Sequence, residues 1–366
     1  MQVARKFVVG QRVTSQRVHW LFKAGLALVL ALIVWEVMLG QFMLQKPTSR
    51  THPILGRIYG QGLYVQGKEG YGRTVLNELG LRAPALAEEP LQESRQRILV
   101  LGDSYTQAMQ VSDRAAFPQR LNDLLGEYTQ VVNAGREGAS PADYIALADY
   151  NQQTFNPDVV VVQLNEADFT RDLLSKNQTF FYEKTARGFG LQENKSLISK
   201  STLSSKFANL QSVLNFSVVR IALERFESMR ADTPSTSVDQ DTSVDQDKWG
   251  DGSLEQFIVQ ELQRSYKTPI LLYIPEMDYF SEDFAKANPT EVYLYEAARE
   301  VGVTFISLRP DFVTRYSQKN ETAHGFANTQ PGTGHINALG HRLAAERLER
   351  ALRLPVFENS LSQVDK

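Results

Sequence analysis

The chain has 366 residues, of which 42% are hydrophobic and 22% charged, a composition typical of a globular protein with one large or two small domains. Its formal net charge of −3 leaves no basic excess for a nucleic-acid partner, and the absence of cysteine excludes disulfides, thiolate catalysis and cysteine-based zinc sites. Histidine is scarce, and only His324, His335 and His341 lie in the C-terminal half.

An apolar stretch near the N-terminus follows a basic segment. Residues 1–20 are polar and basic, and residues 21–44 are mostly apolar and long enough to cross a bilayer of about 30 Å. The positive-inside rule places residues 1–20 in the cytoplasm and the main domain on the extracytoplasmic side of the membrane. Glu36 interrupts the stretch, and a cleaved signal peptide is the alternative. Because no small-x-small cleavage site follows the apolar core, we favour an uncleaved single-pass anchor.

Residues 45–96 form a lead-in that is rich in glycine and polar residues. We expect short strands or loops that pack on the following domain, and then a linker at 84–90, where two prolines bracket Ala-Leu-Ala-Glu-Glu. No residue of this lead-in suggests chemistry of its own.

A candidate nucleophile follows the next apolar run. Residues 98–101 are four apolar residues, and Gly102, Asp103 and Ser104 come directly after them. Ligands of open α/β sheets bind at the carboxyl ends of strands, so Ser104 is a nucleophile if a base reaches it. The alternative is an ordinary turn, in which Asp103 hydrogen-bonds the local backbone and holds the serine in place.

Strands and helices alternate from this point to the C-terminus, with one interruption. Apolar runs predict strands at 98–101, 130–133, 158–164, 269–274 and 303–308. Apolar residues at helical spacing predict helices at 115–125, 254–266, 290–301 and 337–352. Five strands that alternate with helices indicate an α/β fold built on a doubly wound parallel sheet.

Residues 173–252 are the interruption. They contain an amphipathic helical pattern at 207–229 and a tandem hexapeptide, Thr-Ser-Val-Asp-Gln-Asp, at 236–241 and 242–247. The repeat is short, acidic and polar, so we expect a solvated loop that grew by duplication rather than a calcium site, since it lacks the glycine and terminal glutamate of the common calcium loop. A lid over the site is one role for this insertion.

The candidate functional residues lie at three strand ends and in one loop. Ser104 follows the first strand, Gly138 the second and Asn165 the third, and His335 precedes the last helix. Acyl transfer needs a nucleophile, a base within hydrogen-bond reach and donors aimed at the developing oxyanion. Ser104 and His335 supply the first two, and the backbone amides of Ser104 and Gly138 can supply the donors.

The remaining histidines and carboxylates predict no further chemistry. His324 lies in a polar loop, where we expect it to be solvated, and we expect His341 to pack on its helix. No histidine or carboxylate cluster has metal-ligand spacing, so we predict neither a metal nor a cofactor.

Three of these motifs resemble the blocks of the SGNH or GDSL hydrolase superfamily. They are Gly102-Asp103-Ser104-Tyr105 for the nucleophile, Asn133-Ala-Gly-x-x-Gly138 for the oxyanion glycine and Gly334-His335-Ile-Asn-Ala-Leu-Gly-His341 for the base. The resemblance covers about residues 97–172 and 253–352, and Asn77-x-x-Gly-Leu-Arg82 resembles the lead-in of membrane-anchored bacterial members. It implies a flavodoxin-like sheet and roles for Ser104 as nucleophile, His335 as base and Gly138 as oxyanion donor.

One departure from the family pattern concerns the acid of the triad. The family has an aspartate three residues before the histidine, and Gly332 stands at that position. A carboxylate orients the imidazole and stabilises its cation. Without it, a Ser104–His335 dyad operates, a distant acid such as Asp311 is recruited, or activity is low.

A second departure concerns the third oxyanion donor, an asparagine in the family. Alignment on Asp168 places Ala167 there, whereas a shifted register places Asn165 there. Asn165 is therefore our candidate for this donor.

The sequence predicts a membrane-anchored, extracytoplasmic serine esterase or O-acyltransferase that acts on acyl esters, including those of envelope polysaccharides. The alternative is a catalytically inactive SGNH-like protein that binds glycan or scaffolds an assembly. The predicted plan is a cytoplasmic tail (1–20), an anchor in the lipid bilayer (21–44), the lead-in (45–96), an α/β domain (97–354) and a tail (355–366).

Overall fold

The structure is a computed structural model of the chain. It describes residues 18–35, 38, 49–67, 69–82, 96–169, 173–174, 176, 178–185, 188–194, 251–267 and 269–353. The predicted helix at 207–229, the hexapeptide repeat, the linker at 84–90 and the tail at 355–366 lie outside the described residues. The chain divides into two units, residues 1–45 with 208–238 and residues 46–207 with 239–366.

The first unit contains an apolar helix, α1 (Val18–Trp35). Its 18 residues have a mean hydropathy of 1.9, and its side chains are exposed. Length and composition suit a helix that crosses a membrane, and they suit a signal sequence equally well.

The second unit begins with two antiparallel hairpins in the lead-in. The first pairs β1 (Ser49–His52) with β2 (Gly56–Tyr59), and the second pairs β3 (Gly62–Val65) with β4 (Arg73–Leu76). A hydrogen bond of 2.8 Å from the Gln66 amide to the Gly72 carbonyl closes the loop between β3 and β4. The described residues at the tip of this loop, Gly67, Glu69 and Gly70, contribute to the site described below.

A five-stranded parallel sheet forms the centre of this unit. Its strands are β5 (Gln96–Leu101), β6 (Thr129–Asn133), β7 (Val159–Leu164), β10 (Pro269–Tyr273) and β11 (Thr304–Ser307). Between β7 and β10 the chain forms a separate antiparallel hairpin of β8 (Phe180–Thr185) and β9 (Gly188–Glu193). The order across the sheet is β6-β5-β7-β10-β11. The predicted parallel sheet is therefore confirmed.

Helices cover both faces of the sheet. They are α2 (Ser104–Gln107), α3 (Phe117–Leu125), α4 (Pro141–Ala146), α5 (Ala148–Phe155), α6 (Ser253–Ser265), α7 (Pro289–Val301), α8 (Arg309–Lys319) and α9 (Ala338–Leu352). Helices α4 to α7 pack on the face that carries Leu99 and Val160, and α3, α8 and α9 pack on the face that carries Ile98 and Val161. Burial on both faces explains why β5 and β7 are continuous apolar runs rather than alternating ones.

The predicted strands and helices of the sheet layer match the observed bounds within two residues. Helices α2, α4, α5 and α8 and the β8–β9 hairpin lie outside the predicted bounds. In α8 only Arg309 and Phe312 are buried, so its sequence contains no apolar stripe at helical spacing from which the helix could be predicted. The hairpin lies inside residues 173–252, where the alternation of strands and helices stops.

A buried arginine fastens the lead-in to the chain behind Ser104. The Arg82 side chain is only 4% exposed. Its guanidinium donates to the carbonyls of Gln107, Ala108 and Val111, which lie at the end of α2 and just beyond it, and it pairs with Asp113 at 2.9 Å. The lead-in is thus held against the segment that follows the candidate nucleophile.

We expect Arg82→Leu to destabilise the protein, because it removes a donor from three buried carbonyls. The Ala108 carbonyl keeps the Val111 N–H at 3.2 Å, and the loss at the other two costs about 1–3 kcal/mol each. Arg350→Leu is the matched control, since Arg350 is 58% exposed and pairs with Asp311 at the surface, where such pairs contribute about 0–1 kcal/mol. Urea unfolding of the full chain in detergent, followed by far-ultraviolet circular dichroism, measures both. Equal losses in the two variants would contradict the assignment of Arg82 as a buried fastening.

Candidate active site

Ser104 is presented by a tight turn at the carboxyl end of β5. The Asp103 carboxylate caps α2 by accepting a hydrogen bond of 2.8 Å from the Tyr105 amide. A Cβ at Gly102 would overlap the Thr106 hydroxyl, which in turn donates to the Gln163 side chain at 3.0 Å. Glycine at 102 therefore permits the close return of the chain that places Ser104 at the rim of the sheet.

His335 reaches Ser104 from the loop that precedes α9. Its Nε2 atom lies 2.8 Å from the Ser104 Oγ atom, although 231 positions separate the two residues. The Tyr105 ring packs on the imidazole with centroids 4.9 Å apart, and the Tyr105 hydroxyl donates to the Gly334 carbonyl at 3.3 Å. The structure thus brings the predicted nucleophile and the predicted base into hydrogen-bond contact.

Glu69, at the tip of the β3–β4 loop, holds the other side of the imidazole. One carboxylate oxygen lies 2.6 Å from His335 Nδ1, and the other accepts the His335 backbone N–H at 2.7 Å. A Cβ at Gly334, whose φ is +75°, would overlap the Glu69 carboxylate, so glycine leaves the space that the acid occupies. The carboxylate can only accept, which assigns a proton to Nδ1 and leaves Nε2 to accept from Ser104.

Glu69 lies in the lead-in, where no residue suggested chemistry of its own. Its carboxylate stands beside the imidazole that Gly332 leaves without one. Asp311, the distant acid considered above, lies on α8 and forms ion pairs with Arg347 and Arg350. The only signal in the sequence was an acidic residue inside a glycine-rich run, which does not indicate a partner 266 positions away.

The charges around His335 change the pKa of its imidazole. Burial by itself lowers this pKa, but the hydrogen bond and charge of Glu69, together with the charges of Asp103 and Glu137, outweigh burial and raise the pKa above its ordinary value. The imidazole is therefore a stronger base than a free histidine.

The glycine loop after β6 lies against the nucleophile turn. Asn133 donates to the Thr106 carbonyl at 2.9 Å, and the Arg136 amide donates to the Gly102 carbonyl at 2.9 Å. Gly138 has a φ of +74° and faces open space. Over the described ranges, no acceptor takes the backbone N–H of Ser104 or Gly138, so both remain able to bind an oxygen.

Asn165 joins the site through Asp103. Its side-chain N–H₂ group donates to the second Asp103 oxygen at 2.8 Å, and its backbone N–H donates to Asp168 at 2.8 Å. The residue is fully buried at the end of β7. The structure thus places Asn165 against the aspartate that orients Ser104, with one of its two side-chain N–H bonds already used.

The other two histidines of the C-terminal half have internal partners. The expectation that His324 is solvated was wrong: it is buried, its Nδ1 lies 3.0 Å from the Tyr279 hydroxyl, and burial above all lowers its pKa to about 4. Its loop forms a bridge with Ile336, which draws the side chain inward. His341 stacks on Phe117, the first residue of α3, and its Nδ1 accepts the Phe117 backbone N–H at 3.3 Å. Within the described residues, no three histidine or acidic side chains form a group that could hold a metal ion.

Several solved structures are similar to this chain at low sequence identity. An acetyl xylan esterase is 16% identical over 70% of this chain and 99% of its own, with a TM-score of 0.38. A catalytic mutant of an acetylxylan esterase from Geobacillus stearothermophilus is 14% identical over 71% of this chain and 95% of its own, with a TM-score of 0.39. A two-domain esterase active on acetylated mannans is 13% identical over 70% of this chain and 49% of its own, with a TM-score of 0.37.

No protein-family model matches the chain, and comparison with curated proteins finds no significant match. Functional assignment therefore depends on the chemistry of the site.

We expect Glu69→Gln to lower the pKa of His335, because it removes the charge that raises this pKa and leaves burial, which lowers it. Nuclear magnetic resonance of histidine-labelled full chain, titrated with pH, measures the change. Asp311→Asn is the control and should leave the pKa of His335 unaltered, since Asp311 pairs with arginines elsewhere. A larger effect of Asp311→Asn would make Asp311 the acid.

Gly334→Ala should also lower the pKa of His335, because the new methyl group would displace the Glu69 carboxylate. Gly302→Ala is a closely matched control, since Gly302 has nearly the same φ, +74° against +75°, but nothing lies within 4 Å of the added Cβ. Both variants carry the same backbone strain, so the same titration isolates the overlap. Indistinguishable pKa values in the two variants would rule out the proposed clearance.

Proposed function

We propose that this chain is a serine hydrolase or acyltransferase of SGNH type that acts on acyl esters through Ser104, His335 and Glu69. The observation that carries the proposal is the unbroken sequence of contacts from the Glu69 carboxylate through the imidazole to the Ser104 hydroxyl, at 2.6 and 2.8 Å. Nucleophile, base and acid are each in hydrogen-bond contact with the next, which is the arrangement that activates a serine.

The first half of the reaction forms an acyl-enzyme. His335 Nε2 takes the Ser104 hydroxyl proton as Oγ attacks the carbonyl carbon of the ester, and Glu69 stabilises the imidazolium that results. The tetrahedral intermediate then collapses, the bond from carbon to the alcohol oxygen breaks, and His335 returns the proton to the leaving alkoxide. The alcohol departs, and the acyl group stays on Ser104.

The second half of the reaction depends on the acceptor. His335 removes a proton from water or from a sugar hydroxyl, the resulting oxygen attacks the acyl carbon, and Ser104 leaves with the proton that His335 holds. Water yields a carboxylic acid, and a sugar hydroxyl yields a new ester. The same residues serve esterase and O-acyltransferase activity.

We propose three donors for the carbonyl oxygen on which negative charge develops. The backbone N–H groups of Ser104 and Gly138 lie on adjacent loops, and the second side-chain N–H of Asn165 provides the third. Asp103 supports this arrangement by holding both the α2 turn and the Asn165 amide. Loss of one such donor costs on the order of a hundredfold in rate.

The family assignment and the location are parts of the same proposal. Numbered along the chain, the five sheet strands stand in the order 2-1-3-4-5, the flavodoxin-like order, which agrees with the three sequence blocks. Helix α1 anchors the chain in the bilayer, with residues 1–20 in the cytoplasm and the catalytic unit outside it. An anchored enzyme in that position meets acyl esters of envelope glycans, and polysaccharide esters are the substrate class we propose.

A fluorophosphonate probe tests the proposal directly, since it reacts only with an activated serine. We expect the full chain in detergent to be labelled and Ser104→Ala to show no labelling. Ser112→Ala, which removes an exposed serine that follows the nucleophile segment, should be labelled normally. Labelling should weaken as the pH falls through the raised pKa of His335, because the protonated imidazole cannot accept the serine proton.

Absence of labelling in a folded wild-type chain would overturn this proposal and favour the inactive, glycan-binding alternative. If labelling occurs, 4-nitrophenyl acetate supplied with and without an oligosaccharide acceptor separates the two activities. Free acetate in both conditions indicates an esterase, and acetylated oligosaccharide indicates a transferase.

A further inference from the structure

We infer that Asn328 is a positioning residue that sets where the Glu69 carboxylate stands relative to His335. This inference rests on the proposed role of Glu69 as the acid of the site. It concerns a residue outside the three sequence blocks, in the loop between α8 and α9.

The acid needs restraint because of where it lies in the fold. Glu69 stands at the tip of the loop between β3 and β4, outside any strand or helix. Loop tips of this kind, rich in glycine and close to the surface, are ordinarily the mobile parts of a protein. An acid that orients an imidazole must instead stay within a fraction of an ångström of its productive position.

The Asn328 side chain brackets Glu69 on both sides. Its Oδ1 atom accepts the Gly70 backbone N–H at 2.9 Å, and its Nδ2 atom donates to the carbonyls of Gly67 at 3.1 Å and Gly70 at 3.3 Å. An amide combines an acceptor with two donors on one planar group, so it can satisfy all three backbone atoms at once. A carboxylate or a hydroxyl of similar size cannot.

The loop that carries Asn328 is also the loop that carries His335. Within it, the Gly325 amide donates to the His335 carbonyl at 3.1 Å, and Phe326 and Thr329 close a turn next to Asn328. Asn328 therefore ties the acid to the same piece of backbone that holds the base. Because Asn328 links the loop of Glu69 to the loop of His335, the distance between carboxylate and imidazole does not depend on two loops that move independently.

Close backbone packing completes the restraint on the hairpin tip. A Cβ at Gly70 would overlap the Gln110 carbonyl and lie 2.9 Å from the Phe326 ring. The tip is thus enclosed between the segment behind the nucleophile and the loop of His335. Asn328 supplies the polar contacts on one side of this enclosure. These hydrogen bonds fix the orientation of the loop backbone, which non-directional packing does not.

A double-mutant cycle separates positioning of Glu69 from a general structural role. Asn328→Ala, Glu69→Gln and the double variant are prepared as full chains in detergent, and two quantities are measured in each. These are the pKa of His335 by histidine-labelled magnetic resonance and the rate of Ser104 labelling by the fluorophosphonate probe. Asn122→Ala is the matched control, because Asn122 is also half-buried and accepts from the backbone of another element at 3.0 Å, away from the site.

If Asn328 acts through Glu69, Asn328→Ala lowers the pKa of His335 and slows labelling by about tenfold to a hundredfold. In the Glu69→Gln background it changes neither quantity, and Asn122→Ala changes neither in the wild type. Equal losses with and without Glu69, or a slower rate with an unaltered pKa of His335, would overturn the inference. Urea unfolding reports the stability of every variant.

Asn328→Asp keeps the test decisive if Asn328→Ala does not fold. This variant adds a negative charge, which by itself raises the pKa of His335, so it is paired with Asn328→Leu, which keeps the side-chain volume and removes the acceptor and both donors without adding a charge. In Asn328→Leu the pKa of His335 should fall in the wild type and stay constant beside Glu69→Gln; a pKa unchanged in the wild type would overturn the inference. The pKa arm does not depend on hydrolysis. If the variants show these pKa shifts but Ser104 is not labelled, the proposed function is wrong and the positioning role of Asn328 still holds.

Discussion

The two hydrogen bonds between the Glu69 carboxylate and His335 are the contact on which the rest of the site depends. They hold His335 through its imidazole Nδ1 at 2.6 Å and through its backbone N–H at 2.7 Å, and they join two parts of the chain 266 positions apart. Such charge-assisted bonds are short and directional. One carboxylate thereby fixes the imidazole tautomer, raises the imidazole pKa and directs Nε2 at the Ser104 hydroxyl.

This contact makes the lead-in a part of the proposed active site rather than a connection to it. The acid arrives on a β-hairpin, and three features let it approach: the missing side chains of Gly70 and Gly334, and the Arg82 guanidinium buried behind the nucleophile helix. A boundary drawn at residue 97, where the first sheet strand suggests one, separates the acid from its base. The proposed active site therefore includes residues of the hairpins that precede the sheet.

The carboxylates of the site are arranged so that each has a defined partner. Asp103 holds the α2 turn and the Asn165 amide, and Glu69 holds His335. Glu137, next to Gly138, accepts a hydrogen bond from the Tyr59 hydroxyl of the lead-in. Burial lowers the pKa of His335 and these negative groups raise it, so the balance between solvent exclusion and charge decides how basic the imidazole is.

Local sequence patterns were sufficient to predict the sheet and the segments that carry Ser104, Gly138 and His335, because apolar periodicity and glycine-bearing turns are properties of short stretches of chain. Helix α8 was not predicted, because Phe312 is its one buried aromatic residue and a single residue gives no apolar pattern at helical spacing. Three features are visible only in the folded chain: the Glu69 carboxylate stands beside the imidazole that Gly332 leaves without an acid, Asn165 contacts Asp103, and His324 is buried. Each of these depends on which distant segments meet, and neither residue type nor spacing along the chain encodes a meeting between a hairpin tip and a loop 266 positions later.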